Sequence, residues 1–499
     1  MKTDSFRRIS AVLLLCALLF GAGCGSSSEP NKAADSTVNG DITESAAETT
    51  AELSLAEQRA LVKDDLPDAD FSGETFTITI NSFCEKGFFS EELTGDVLGD
   101  AIYERNANVE ERFNVDLDMY SGDYNSIGTT VKNSVLSGED AYQLSAQHCA
   151  NAGSWVTSNI LMNWNDLEHV DFTRPWWSES NIDLLTVNDV CLLAVGDFAL
   201  STVGRTYSVY FDKVEAEAYQ LPDLYEIVYE GEWTIDRIFD YTRDVYRDLN
   251  SNGIVDTFED FFGYSTSTGT NIAVYQQSFG IELIRDGEIV ISVEKMQSAL
   301  EKLNGFFHTA PGAAYDTSYK NAAGNPHYIG AEKMQNSTTL FANALLETGI
   351  NYLRDVEHDY GILPYPKWDE AQEDYRTTVD LGFTALAVPK TVADTDRTGI
   401  IAEALCAETY RIVLPVYYEY ALKQKGARDD DSIAMIDFIV NTRFFDFGVI
   451  FDNWKGFAFE LERMVKENNS DYASRYASNI NTITDWYDSV IEVFNGYDG

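Results

Sequence analysis

The chain is short of positive charge. Its 499 residues carry 35 Lys and Arg against 82 Asp and Glu, a formal net charge of −47. So acidic a surface repels phosphate backbones and anionic headgroups, which excludes nucleic acid as a partner and excludes electrostatic adsorption to a bilayer. Histidine is scarce as well: His148, His169, His308, His327 and His358 are scattered, and no H-E-x-x-H occurs. G-x-S-x-G, P-loop and G-x-G-x-x-G patterns are also missing. The spacings that mark zinc proteases, serine hydrolases and nucleotide enzymes are therefore absent, and no enzymatic activity is expected. Carboxylate pairs are too abundant in such a chain for a glycosidase pair to stand out. Ten prolines and the lack of any polar interruption after residue 71 exclude a jointed tandem of domains. Six cysteines include no C-x-x-C, and no internal repeat is visible. Beyond Cys16 and Cys24, the residues Cys84, Cys149, Cys191 and Cys406 permit three full pairings, and four buried free thiols are the preferred reading.

What is present begins at the N-terminus. Lys2, Arg7 and Arg8 precede an uncharged run over residues 9–23, too short to span a bilayer core of about 30 Å and patterned like a signal-peptide core. It ends in Gly21-Ala22-Gly23-Cys24. Small residues before a cysteine resemble the bacterial lipobox, in which Cys24 becomes the lipidated mature N-terminus. Gly21 departs from the Leu usual there, and a plain secretory signal is the alternative. Two acyl chains on Cys24 would give stable anchoring. Residues 24–70 are rich in Ser, Thr, Ala, Asp and Glu, with no Phe, Tyr or Trp. They are expected to form a flexible acidic tether, in which a stretch near residues 53–61 could form a weak helix, because they bring too little apolar surface to offset their ordering entropy.

From Phe71 the pattern changes. Residues 75–80 alternate with β-branched side chains and predict a strand; Ile102, Asn106, Val109 and Phe113 mark one helical face. Val115, Leu117 and Met119 predict a second strand; Ile127, Val131 and Val135 a second helix; and residues 141–146 a third strand. Strand–helix–strand–helix–strand opens a parallel α/β sheet, whose ligands bind at the carboxyl ends of strands. That places residues 81–83, and Gln147 with His148, at a candidate rim. Later segments read as helix-rich, with strands at 190–195, 207–211, 360–363 and 383–388 and a helix capped by Ser292.

The sharpest motif is a twelve-residue loop. Asp248, Asn250, Asn252, Gly253, Asp256 and Glu259 occupy its positions 1, 3, 5, 6, 9 and 12. Ca²⁺ takes six to eight oxygens, so short acidic and amide side chains alternate around a glycine turn, the Ile254 carbonyl adds an oxygen, and Glu259 closes the shell. Thr234 would cap a helix through Ile235, Ile238, Phe239, Val245 and Leu249 that feeds the loop, whereas residues 261–264 break any second helix. A structural Ca²⁺ is expected; an Asx-rich turn without metal is the alternative. Several of the eight Trp (Trp164, Trp176, Trp177, Trp368 and Trp454) fall in loop-like contexts. Flat aromatic faces beside polar groups suit sugar rings, although core packing is the better reading for any single one.

Four stretches together resemble the solute-binding lipoproteins of bacterial ABC importers, in the group that includes binding proteins for malto-oligosaccharides and alginate. They are Asp171-Phe172-Thr173-Arg174-Pro175-Trp176-Trp177, the segment 221–234, the calcium-loop variant followed by Gly263-Tyr264, and the segment 359–367 with Val388-Pro389-Lys390. The resemblance implies an α/β fold of two lobes around a ligand cleft, with several inter-lobe crossings. Lobe 1 would comprise approximately residues 71–200 and 378–414, and lobe 2 approximately 205–375 and 415–499. It further implies that Ser82, Gln147, His148 and Trp177 form one cleft wall, that Arg205, Tyr207, Asp380 and Phe383 lie near the hinge, and that Trp454 stacks from the second lobe. The expected protein is extracytoplasmic, anchored through Cys24, monomeric, and hands a carbohydrate to ABC permease subunits. The acidic excess favours a neutral oligosaccharide over a uronate. A secreted polysaccharide-acting enzyme, or a surface adhesive or sensory lipoprotein of the same fold, are the alternatives.

Overall fold

The computed structural model describes residues 55–285, 287–320, 329–419, 429–453, 455 and 457–497. The signal segment 1–23, Cys24, the tether up to residue 54, and Trp454 lie outside the described residues. The described chain belongs to one compact unit, Leu53–Gly499. No helix of the described residues is long and apolar enough to cross a membrane.

The first sheet is built from β1 (Glu74–Asn81), β2 (Val115–Gly122), β3 (Leu144–His148) and a late strand, Thr384–Ala387. Alternation in β1 and β2 sends Phe76, Ile78, Ile80, Val115 and Leu117 into the core. β1 runs parallel to both β2 and β3, with Glu74 opposite Val115 and Asn81 opposite Gly122. The connecting helices Val97–Phe113 and Ile127–Ser137 are capped as the sequence dictates. Asp96 accepts from the Gly99 N–H at 3.0 Å, and Gly138 closes the second helix in the left-handed region. The third strand begins three residues later than its apolar pattern predicts, at Leu144, because Gln143 is diverted: its Oε1 accepts from the Thr77 N–H at 2.8 Å.

The second sheet contains β4 (Tyr207–Asp212), β5 (Tyr246–Arg247), β6 (Phe261–Ser267), β7 (Ala313–Asp316), β8 (Thr339–Leu345) and β9 (Tyr360–Leu363). Its order is β7-β6-β8-β4-β9, with β5 paired to β6 off this path. β6, β7 and β8 are parallel, while β4 is antiparallel to both β8 and β9. Every residue of β6 and of β8 is buried, so neither shows the period-two alternation by which a half-exposed strand is recognised.

Two short strands, β10 (Thr377–Thr378) and β12 (Arg443–Phe444), pair with each other, and the Thr384–Ala387 strand, β11, returns the chain to the first sheet antiparallel to β3. The two lobes meet at adjacent crossings: Thr206 bridges Val379 in antiparallel fashion, and the Asp380 N–H donates to the Arg205 carbonyl at 2.9 Å. A third connection is helical. The helix Thr395–Glu408, packed on Val97–Phe113 of the first lobe, widens into a π-helical stretch, Thr409–Val413, before the chain reaches Asp430–Asn441 against β9 in the second lobe.

Two expectations are corrected here. Residues 55–70 do not behave as a tether: the helix Leu55–Ala60 packs against Thr409–Val413, and Asp64, with 4 % of its side chain exposed, pairs with both Arg112 and Arg411. The helix capped by Thr234 ends at Thr242 rather than running to Leu249. Gly263 lies against the backbone of Thr242, and its N–H donates to the Val245 carbonyl at 2.7 Å, so the chain turns into β5 to pair with β6. All four described cysteines are free thiols.

Candidate functional site

A cavity of about 520 Å³ opens where the carboxyl ends of β2, β3 and β6 approach the crossings. Tyr124 and Asn125 follow β2, and His148 ends β3, followed by Ala150 and Asn151. Gly269 and Thr270 follow β6; Arg205, Asp380, Leu381 and Gly382 come from the crossings; Phe459, Glu462 and Arg463 come from the C-terminal part. A larger, shallower depression of about 950 Å³, over residues 335–337 and 350–358, lies away from these strand ends.

Arg205 is the hub. Its Nη2 donates to Asp380 Oδ1 at 2.5 Å, Nε to the same oxygen at 3.1 Å, and Nη1 to Glu347 Oε1 at 3.2 Å. The guanidinium also lies 4.8 Å from the Phe83 ring centroid. Asp380 accepts further bonds from the Gly382 N–H at 2.8 Å and from Tyr207 Oη at 3.2 Å, while Tyr207 Oη also bonds Thr270. Burial pushes the Asp380 carboxyl up, but the Arg205 guanidinium and these donors outweigh it and bring it down to about 2. Burial likewise lowers His148, to about 4, with Asp380 pulling up and Arg205 pulling down. At neutral pH the imidazole is thus uncharged. It stacks on Tyr124 at 4.8 Å, and its Nδ1 accepts from the Ala150 N–H at 3.3 Å, which leaves Nε2 as the N–H. Glu462 accepts from Thr268 Oγ1 and from the Gly269 N–H through Oε1. The lining thus combines a neutral imidazole, anchored carboxylates, amides, hydroxyls and two aromatic rings, a set that receives hydroxyl groups and apolar faces together.

Of the residues the sequence pointed to, His148, Arg205 and Asp380 line this cavity, and Tyr207 lies directly beneath, bonded to Asp380. Gln147 is buried within the first sheet, where its Nε2 donates to Thr79 Oγ1 at 3.0 Å. Ser82 is exposed at the end of β1, outside the lining. Phe383 is core, edge-on to Phe445 at 5.1 Å. Trp177 is core as well, 4 % exposed, packed on Trp164 and Phe172; the cleft wall assigned to it is instead occupied by Tyr124. Sequence reasoning missed Tyr124, Asn125, Asn151, Thr270, Phe459 and Glu462. The first three follow predicted strands and were within reach of the strand-end rule. Thr270 follows β6, which carried no alternation, and Glu462 sits on a helix, Glu460–Lys466, with no distinguishing pattern.

The loop 248–259 joins β5 to β6. Asp248 Oδ2 accepts from the Gly253 N–H at 2.7 Å, Asn250 Oδ1 from the Asn252 N–H at 3.0 Å, and Asn252 Oδ1 from the Ile254 N–H at 2.7 Å. Asp256 Oδ1 caps Phe258 and Glu259, and Asn250 Nδ2 donates to Glu259 Oε2 at 2.6 Å. Gly253 holds φ +73°, the turn the motif requires. Asp248 Oδ1 is buried without a hydrogen-bond partner. An all-oxygen donor set with one orphaned carboxylate oxygen fits a hard cation.

No family model matches the chain, and no curated protein matches it either. Solved structures do match. A solute-binding protein of an ABC transporter from Thermotoga lettingae, bound with α-D-tagatose, aligns with TM-score 0.52 at 14 % identity over 83 % of this chain and all of its own. The fold is that of ABC-transporter solute-binding proteins. UgpB of Mycobacterium tuberculosis, in complex with glycerophosphocholine, aligns with TM-score 0.51 at 15 % identity over 84 % of this chain and 98 % of its own. An ABC substrate-binding protein of Listeria monocytogenes, in complex with cycloalternan, aligns with TM-score 0.51 at 10 % identity, covering 85 % of this chain and 100 % of its own. The cavity around Arg205 and Asp380 lies at the crossings between the two sheets.

Proposed function

We propose that this protein is the substrate-binding component of an ABC importer, that it captures a carbohydrate in the cavity at the lobe crossings, and that lobe closure presents the loaded protein to a permease. The observation that carries the reading is the position of His148, Arg205 and Asp380. Residues from the first lobe and from both crossings line one cavity at strand carboxyl ends, in a fold that brings two lobes to a common hinge. The ligands of the structural neighbours, α-D-tagatose, cycloalternan and glycerophosphocholine, all present hydroxyl groups. Asn125, Asn151, Thr270 and Glu462 suit such groups, and Tyr124 suits a sugar face. The acidic excess favours a neutral oligosaccharide over a uronate. Lipidation at Cys24 would hold a monomer on the outer face of the membrane, and Ca²⁺ in the 248–259 loop, bound by Asp248, Asn250, Asn252, Ile254, Asp256 and Glu259, would brace the second lobe. A thermal-shift screen over sugars, peptides and amino acids tests the reading. An upward shift with a neutral glycan supports it, and a shift with peptides alone overturns the carbohydrate assignment.

A further inference from the structure

Residues 55–66 do more than join a tether to a strand. Arg59 lies with its guanidinium 5.1 Å from the ring centroid of Tyr410 and 5.1 Å from that of Tyr418. Those two tyrosines bracket the third inter-lobe connection. Tyr410 sits in the π-helical stretch Thr409–Val413, on the side that packs against the first lobe, with its ring 6.1 Å from Trp176. Tyr418 lies beyond the helix Leu414–Val416, and the charges acting on it include Arg443 of β12 as well as Arg59. Between them, Tyr417 lies buried against Gly204, the residue before Arg205, so this stretch touches the hinge itself. A single planar cation thus spans Tyr410 to Tyr418 in the described part of a crossing whose hydrogen bonding is already irregular, and π-helical stretches are frequent at functional sites.

The rest of the segment fixes Arg59 in place. Arg411, one residue after Tyr410, donates to the Val62 carbonyl at 3.2 Å and to Asp64 Oδ2 at 2.9 Å. Asp64 takes a second fork from Arg112 of the first lobe, at 2.7 and 2.9 Å. Val62 and Leu66 pack on the apolar core of that lobe. The segment is therefore held firmly to the first lobe and reaches the crossing through Arg59 and Arg411.

We infer that residues 55–66 are a strap that restrains the helical crossing and so sets the ease with which the two lobes rotate. The inference does not depend on which solute the cavity takes. A change in the path of the chain between Tyr410 and Tyr418 during lobe rotation is resisted by an arginine that lies over both rings. Arg59 acts as a positioning residue for the hinge and touches no residue of the cavity lining.

Hydrogen–deuterium exchange on the whole purified protein reads the restraint directly. In Arg59→Ala, amides of the crossings (peptides over 203–209, 377–384 and 409–418) are expected to exchange roughly threefold faster or more, with β1 and β6 unchanged. Asp65→Asn removes the strap's exposed pair with Arg174, which does not touch the crossing, and is expected to leave the crossings as they were. Tyr418→Phe keeps the ring and is expected to match the parent. Three results overturn the inference: acceleration confined to residues 55–66, a uniform rise in both sheets, or no change in Arg59→Ala. If Arg59→Ala fails to fold, Arg59→Lys keeps the charge without the planar stack. It must then show the same pattern of faster crossings and unchanged sheets, and parent-like crossings in that variant overturn the inference.

Discussion

Trp177 donates its indole N–H to Glu403 Oε2 at 2.7 Å, inside the first lobe and away from the cavity. Trp176 donates to the other oxygen at 2.8 Å, so one buried carboxylate satisfies both indoles of a Trp-Trp pair. Trp177→Ala is expected to cost about 3–5 kcal/mol, as removal of a buried aromatic does. Glycan affinity per folded molecule should be unchanged. Denaturant melts paired with calorimetric titration check both halves, and a large loss of affinity in the folded fraction would return Trp177 to the cleft.

Tyr124 and His148 make the opposite prediction. Tyr124→Ala removes an exposed ring that stacks on His148 at the cavity mouth. Stability should change by less than about 1 kcal/mol, while affinity for a bound sugar should fall roughly tenfold or more. Because His148 is held down to about 4, affinity should be flat between roughly pH 5.5 and 8. Titrations at several pH values check this, and a step near pH 6.5 would count against a neutral His148.

Gly382 cannot be enlarged without moving the hub. A Cβ there would lie 2.6 Å from the Arg205 guanidinium. Gly382→Ala is expected to cost about 1–3 kcal/mol by overpacking, and to weaken the Arg205–Asp380 pair on which the cavity floor depends. A lowered melting temperature together with reduced ligand affinity is the expected outcome; a parent-like protein would mean that the hub yields easily.

Stability should vary with pH in two windows of opposite sign. Glu403, Asp197 and Asp446 are raised by burial to about 7. The native state therefore holds protons there that the unfolded chain releases above its ordinary values of 4.5 and 3.8. That contribution is complete at low pH and is lost as pH rises toward 7. Asp64 and Asp380, brought down to about 2, contribute stability above about pH 4 that is lost as pH falls toward 2. The melting temperature should therefore peak in mildly acidic buffer. Glu403→Gln should flatten the slope between pH 5 and 7, which a melting series across that range measures.

Calcium should raise the melting temperature of chelator-treated protein. At an affinity typical of extracellular modules, 10 mM Ca²⁺ adds roughly 1.4–2.7 kcal/mol. Asp248→Asn and Glu259→Gln should each remove most of that shift, because they delete charge at the first and last positions of the loop. No shift in the parent protein would leave the 248–259 loop a hydrogen-bonded turn.

Much of the first lobe was legible in the sequence, because β1, β2 and the helix Val97–Phe113 carry apolar side chains at regular spacing. Phe76, Ile78 and Ile80 alternate with exposed or bonded neighbours, and Ile102, Val109 and Phe113 recur at helical spacing. The second lobe was legible only in part: the strands over 207–211 and 360–363 and the helix capped by Ser292 stand where the sequence put them, whereas β6 and β8 went unread. β6 and β8 are buried along both faces, so their order of residues carries no period, and the turn after Thr242 is dictated by the close approach of Gly263.

The charge balance by itself argued against nucleic acid as a partner, and local spacing by itself marked the 248–259 loop. The strand-end rule brought His148 to the rim, and the resemblance brought Arg205 and Asp380 to the hinge. Only the tertiary structure decided that Trp177 is core and Tyr124 is surface, that Glu462 faces the cavity, and that residues 55–66 pack against the helical crossing. Those outcomes depend on contacts between residues hundreds of positions apart, such as Arg411 with Asp64, and no local pattern in the chain encodes them.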